Sequence, residues 1–184
     1  SLKGFGIEKL SSGTISAGAV LHYLKETHHH LTQHISTISR IEQEKYVWMD
    51  RFTIRNLELF YSPNDQAKTL IDILDHTISP MGSRMIKRWV ALPLKEKSQI
   101  DKRLSVVHHI IKEENIRHVI EENIKHIGDL ERLISKVSTT RISPRECNQL
   151  KLSLNSIAPI KEICSDADNN QLQIIGEQLN PCKN

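Results

Sequence analysis

Residues 98–137 read SQIDKRLSVVHHIIKEENIRHVIEENIKHIGDLERLISKV. Ile100, Leu104, Val107 and Ile111 recur at spacings of four, three and four, Ile116, Ile120, Ile124 and Ile127 continue the rhythm, and Leu130, Ile134 and Val137 follow. A repeat of this kind places each set on one face of an α-helix. A helix that is apolar on one face alone must bury that face against another, so the stretch predicts packed helices. Helix starts agree with the pattern. Ser98 precedes Asp101, and Ser143-Pro144-Arg145-Glu146 sets a cap, a first-turn proline and a capping-box acid in order. Leu150, Leu154 and Ile157 mark a further helix that Pro159 is expected to end or kink. Leu172, Ile175 and Leu179 mark a last one, trailing into Asn180-Pro181.

Upstream the pattern is less regular. Gly4, Gly6 and Gly13 punctuate the first thirteen residues, with Ser11 and Ser12 as capping residues, which predicts a joint over 1–13 and a helical domain over 14–184. A helix is expected from about Ile15 to Thr27. Between Ile35 and Met49 the chain turns to Ile, Thr, Tyr and Val; Tyr46, Trp48 and Asp50 would share one face of a strand and Val47 and Met49 the other. Helices are expected again over Phe52–Leu59, Ala67–Leu74 and Pro80–Val90. The fold class is therefore mainly α: an antiparallel helical bundle with a small β element near the N-terminal joint.

Apolar residues make up 38% of the 184-residue chain and charged residues 26%, a globular balance, while aromatics are 4%, so the core must come from Ile, Leu and Val on helix faces. No apolar run approaches the ~20 residues of a membrane span, and no leader pattern opens the chain, which points to a cytoplasmic piece of a longer protein. Cys147, Cys164 and Cys182 are odd in number and far apart, the pattern of reduced packing residues rather than a metal knuckle. A net charge of +3 is too small to mark a nucleic-acid footprint by itself, although residues 84–103 hold seven Lys/Arg against Glu96 and Asp101.

The usual chemical signatures are missing. A phosphate-cradling loop needs Gly-Lys-Ser/Thr, and none of the seven glycines is followed by lysine. Gly4-Phe5-Gly6 lacks the third glycine of a dinucleotide fingerprint. His28, His29, His30 and His34 are the densest set of potential ligands, yet no acid or cysteine lies within the run, and a frayed helix end explains them better. No catalytic residue, cofactor or metal site is assigned. Arg84, Lys87 and Arg88 fall on one helix face. That spacing suits a solvated face, docking against acids of a neighbouring domain, or a grip on phosphates; the last lacks interleaved aromatics to stack bases.

Thr77–Pro93, TISPMGSRMIKRWVALP, resembles the corresponding stretch of the MutS family of bacterial DNA mismatch-repair ATPases, with Pro80, Gly82, Ser83, Arg84, Arg88 and Trp89 in place. Asp50, Thr53, Arg55, Asn56, Leu57 and Glu58 resemble an upstream element of that family; Gly128-Asp129-Leu130-Glu131-Arg132 and Ser143–Glu146 resemble two downstream ones, in the same order. Gly4–Glu8 and Ser16–Ala19 resemble the end of the family's connector domain and the entry to its core.

The resemblance implies a full protein that binds mismatched double-stranded DNA as a clamp-shaped homodimer. It also implies ATP and Mg as cofactors of that full protein, with none in this fragment, and a MutL-type repair partner. This chain would be the first half of the core, or lever, ending before the DNA clamp and non-catalytic in itself. Phe5, Phe52 and Phe60 all lack the glutamate two places on that mismatch reading requires. What remains for the fragment is transmission between ATPase and clamp. Asp50, Arg55, Pro80, Gly82, Arg84, Asp129, Glu131 and Arg132 are its structural or hinge candidates. Among them Asp50, Arg55 and Arg84 are expected to form a buried ion network, with the loop from Ile78 to Arg84 as pivot. Arg84, Lys87 and Arg88 are the candidates to face another domain or DNA. The competing readings are a free-standing helical adaptor and a weak nucleic-acid-binding helical module.

Overall fold

A computed structural model describes residues 10–27, 35, 37–38, 43–64 and 66–182. Of the joint expected over 1–13, residues 1–9 lie outside the described residues, as do the histidines at 28–30 and 34, while residues 11–13 are already helical behind Leu10 at the cap position, so Ser11 and Ser12 are not caps. Nine α-helices form among those described: α1 (Ser11–Glu26), α2 (Arg51–Asn56), α3 (Leu70–Leu74), α4 (Pro80–Ala91), α5 (Lys97–Lys112), α6 (Glu114–Ile124), α7 (Leu130–Ser138), α8 (Pro144–Ser165) and α9 (Asn170–Gln178).

Local chemistry sets the helix ends. The Asp50 carboxylate accepts from the Thr53 N–H at 2.7 Å to start α2. That helix stops short of the expected Leu59 because Glu58 turns into the left-handed region at φ 48°. The turn has a use: the carbonyls of Glu58 and Leu59 accept from the N–H groups of Leu70 and Ile71 at 3.2 and 3.1 Å, satisfying the start of α3. Thr69 and Asp72 complete that start as a capping box. The same device, Ser143 with Glu146 and Pro144 in the first turn, begins α8 where its sequence signature lies.

No strand forms among the described residues. Tyr46 makes an isolated antiparallel bridge to Leu94, flanked by bonds from Val47 N–H to Pro93 O at 2.8 Å and from Lys95 N–H to Lys45 O at 3.1 Å. The expected β element cannot lengthen there, since Pro93 has no N–H to donate and α5 begins at Lys97.

The core gathers Ile116, Ile160, Cys164, Ala167 and Leu172, with Val106, Ile110, Ile120, Ile124, Ile127, Ile163 and Leu179 packed against it. Helix α8 packs on α6, α7 and α9, and α5 on α6 and α9. The α6 stripe thus points inward as expected. The α5 stripe does not. Ile100, Leu104, Val107 and Ile111 are exposed, and Val106 and Ile110 on the adjoining face enter the core instead. In α7 it is Leu133, not Ile134 or Val137, that is buried.

Of the two outcomes expected at Pro159, an end or a kink, the end does not occur, since α8 runs on to Ser165. Buried Ser153 precedes the proline and buried Ile160 and Cys164 follow it, so packing against α6 and α9 holds both sides of the missing hydrogen bond. Gly176 lets α9 close on α8: a Cβ there would lie 2.7 Å from Ser165 Oγ and 2.8 Å from its backbone nitrogen. Cys164 is a packing residue as expected, whereas Cys147 and Cys182 are exposed free thiols.

Candidate functional site

The sequence candidates converge where the start of α4 meets the start of α7. Helix α4 begins with Pro80 in its first turn and Ser79 as cap, the Ser79 hydroxyl accepting from the Gly82 N–H at 3.1 Å. Glycine is needed there, because a Cβ at position 82 would sit 3.1 Å from Thr77 Cβ and 3.2 Å from Ser79 Oγ. Asp75 braces the same loop, accepting from the hydroxyls of Thr77 and Ser83, each at 2.5 Å. These bonds hold the Asp75 carboxyl below the usual range, Ser83 contributing most. Ile78–Arg84 is thus a braced corner with Arg84 at its end.

Arg84 reaches across to α7. Its Nη1 and Nη2 donate to the two oxygens of Asp129 at 2.9 and 2.7 Å, and its Nε and Nη2 donate to Glu131 Oε2 at 3.0 and 2.5 Å. The fork matches the carboxylate face, a geometry that lysine cannot reproduce. Asp129 is also the cap of α7 and accepts from the Arg132 N–H at 3.2 Å. One carboxylate therefore starts a helix and anchors a guanidinium 45 residues away. Arg84 holds the Asp129 carboxyl down at about 2, helped by the Arg132 N–H and opposed by partial desolvation, and the Arg84 guanidinium is correspondingly raised. The clasp lies near the surface, with 48% of the Arg84 side chain exposed.

The other end of α7 is tied as well. Lys136 donates to Glu146, whose other oxygen accepts from the Ser143 N–H at 3.0 Å in the capping box of α8. Lys136 foremost, then Ser143, depresses the Glu146 carboxyl to about 2. Between the two ties, Ser153 of α8 is completely buried, accepting from the Gly128 N–H at 3.0 Å and donating to the His126 carbonyl at 3.4 Å. Helix α7 is thereby pinned to α4 at its start and to α8 at its end, with the turn before it locked to α8.

The candidates do not all assemble here. Pro80, Gly82, Arg84, Asp129 and Glu131 form the clasp and its corner, and Arg132 supplies a backbone N–H. Asp50 is the α2 cap, and Arg55 lines an exposed groove with Arg51, Phe52 and Tyr61. The expected buried network of Asp50, Arg55 and Arg84 is replaced by a half-exposed one whose acids are Asp129 and Glu131. The basic face divides too. Lys87 lines a groove beside Asp72 and Asp75, and its charge helps to lower both carboxyls. Farther along, the Arg103 guanidinium lies 3.9 Å from the centroid of the Trp89 ring, and Lys97 donates to Asp101 at 2.6 Å. Much of the basic stretch is therefore engaged with its own chain. Ser153 escaped the sequence reading because nothing about a serine inside a helix announces a long-range acceptor.

Among the described residues no group of His, Cys, Asp or Glu is placed to hold a metal ion, and no helix is long and apolar enough to cross a membrane. The family model described as MutS domain III matches residues 52–180. The chain is 59% identical over 182 residues to the DNA mismatch repair protein MutS of Christiangramia forsetii, covering 99% of this chain and 21% of that protein. It is 52% identical over 182 residues to the protein of the same name from Flavobacterium johnsoniae, with the same coverage. It is 50% identical over 183 residues to that from Cytophaga hutchinsonii, covering 100% of this chain and 21% of that protein. The chain thus spans about a fifth of the length of the curated relatives it matches.

Proposed function

Because the chain belongs to the MutS family and carries its domain III, we propose that it is the non-catalytic core, or lever, of a mismatch-recognition ATPase. In this reading residues 1–13 join it to a connector domain and residues 14–184 form the first half of the core, ending before the DNA clamp. The whole cytoplasmic protein binds mismatched double-stranded DNA as a homodimer, binds and hydrolyses ATP with Mg, and engages a MutL-type partner, while this part holds neither nucleotide nor metal. Its work is to carry a change of state at the ATPase to the grip on DNA.

The observation that carries this reading is the Arg84 clasp. A relay must move as a body, and a bidentate bond from the α4 corner to the α7 cap joins two elements 45 residues apart into one body. The clasp is exposed and made of charged groups, so it can break and re-form without opening the core. The reading as a nucleic-acid module is less well supported, since Arg84 and Arg103 are occupied within the fold and Lys87 sits beside two acids.

The test is Arg84→Ala in the full-length protein. ATP affinity should stay near wild type while ATP-driven release from mismatched DNA weakens by about 5-fold or more, the lower end of typical coupling. Arg84→Lys should recover part of the loss, since it restores the charge without the fork. Unchanged release in Arg84→Ala would remove the clasp from the relay.

A further inference from the structure

Helix α4 is tied to the bundle of α5–α9 by two arginines that reach in opposite directions. Arg84 leaves α4 for Asp129 and Glu131 at the start of α7. Arg103 leaves α5 for the ring of Trp89 near the end of α4, its guanidinium carbon 3.9 Å from the ring centroid. Packing adds little to these ties: α4 buries none of its own residues, and among the described residues no helix of the bundle packs broadly against it. Ser83 and Lys87 look the other way, Ser83 donating to Asp75 and Lys87 lying beside Asp72 and Asp75 in the segment that leads into the helix. Arg103 itself stands on firm ground, since α5 packs on α6 and α9, and among the described residues no carboxylate competes for its guanidinium.

Arg84 and Trp89 are five residues apart, about 7.5 Å along the helix and about 140° around it. A helix held at one point can still roll about its own axis, whereas two ties at different heights and on different sides fix the roll. Roll matters to Arg84 because a guanidinium meets a carboxylate edge to edge through two parallel bonds, and a turn of more than about 20° takes one of them away. Trp89 and Arg103 also line a groove of about 610 Å³, so ring and cation can part into open space without disturbing the core.

We propose that Arg103 is a positioning residue for the Arg84 clasp: stacked on Trp89, it sets the roll of α4 that aims the Arg84 fork at Asp129 and Glu131. It acts only through the ring, and the ring's face matters rather than its bulk, because a cation is drawn to the negative face of an aromatic system and not to an aliphatic side chain. The consequence for function rests on the relay reading. Losing Arg103 should leave every residue of the clasp in place and still slow ATP-driven release from mismatched DNA, by the factor of about 2 to 5 that an exposed cation–π contact commands.

The test separates position from function. In the full-length protein, with Cys147, Cys182 and any other accessible cysteine changed to serine, Arg84→Cys and Glu131→Cys supply a thiol on each side of the gap, and a bis-methanethiosulfonate reagent of matching reach joins them. Glu131 is chosen because it is 70% exposed and leaves the Asp129 cap of α7 intact. With the clasp removed, the rate of joining reads how Arg103 alone presents α4. Arg103→Gln and Trp89→Leu should each slow it about 2- to 5-fold, and together no more than either alone. Trp89→Phe keeps a ring and should keep most of the rate. Unchanged joining in Arg103→Gln, or the same loss in Trp89→Phe as in Trp89→Leu, would overturn the proposal whatever release shows. Release is measured separately in Arg103→Gln with Arg84 and Glu131 restored. Slower joining with unchanged release would uphold the positioning role and sink the relay.

Discussion

Replacing Ser153 with alanine should destabilise the 184-residue chain by about 1–3 kcal/mol, the cost of leaving a buried donor without its acceptor. The donor is the Gly128 N–H, which bonds the completely buried Ser153 hydroxyl at 3.0 Å. Urea unfolding measures the loss, and a midpoint equal to wild type would mean that water replaces the hydroxyl. Asp129 and Glu146 make a pH prediction. Both carboxyls are depressed in the fold to about 2, from ordinary values of 3.8 and 4.5. A depressed carboxylate stabilises the fold fully above its unfolded value and loses that contribution as the pH falls through the folded one. Stability should therefore decline between about pH 4.5 and 2. The paired variant Asp129→Asn with Glu146→Gln should start less stable at neutral pH and decline less steeply over that window. An identical slope in acid melts would contradict the assignment. The residues of the Arg84 clasp were legible as a family-like cluster, but its wiring was not. Arg84 and Asp129 are 45 positions apart, and nothing local told the guanidinium to prefer Asp129 and Glu131 over Asp50.

At the scale of elements, the helices with strong local signals were the most legible. Pro80, and Ser143 through Glu146, mark starts that the backbone obeys, because capping is decided within four residues, whereas Ser98 does not cap its helix, which begins at Lys97 behind Glu96. The chain near Glu58 was harder, since a left-handed residue in a helix-like pattern depends on the distant N–H groups of Leu70 and Ile71 that its turn satisfies. The α5 stripe was read correctly as a helix face and wrongly as the buried one. Periodicity reports that a face is apolar, not what covers it. Pro159 is the reverse case, a helix end signalled locally that packing on both sides prevents. Pro159→Ala should accordingly stabilise the fold, by up to ~3 kcal/mol if the full interior penalty is relieved. Thermal melting reads the gain, and a lower melting temperature would mean that the missing hydrogen bond shapes α8 in a way the packing needs.

At the scale of the molecule, α7 is held from both ends, by Arg84 through Asp129 and by Lys136 through Glu146, while the apolar seam of α5 faces outward. A body tied internally and open on one side suits a part that moves against neighbouring domains, as the proposed relay requires. The mainly helical class was legible from periodicity, and the short bridge at Tyr46 and Leu94 was not, because its length depends on where Pro93 and Lys97 cut off the partner segment. The most direct measurement of the relay is a double-mutant cycle in the full-length protein, with Arg84→Ala, Asp129→Ala and both together, read as the rate of ATP-driven release from mismatched DNA. If the clasp transmits the signal, each single change should impair release to a similar degree and the double change should be scarcely worse than either. Additive effects, or single variants that release DNA at the wild-type rate, would show that the signal passes elsewhere.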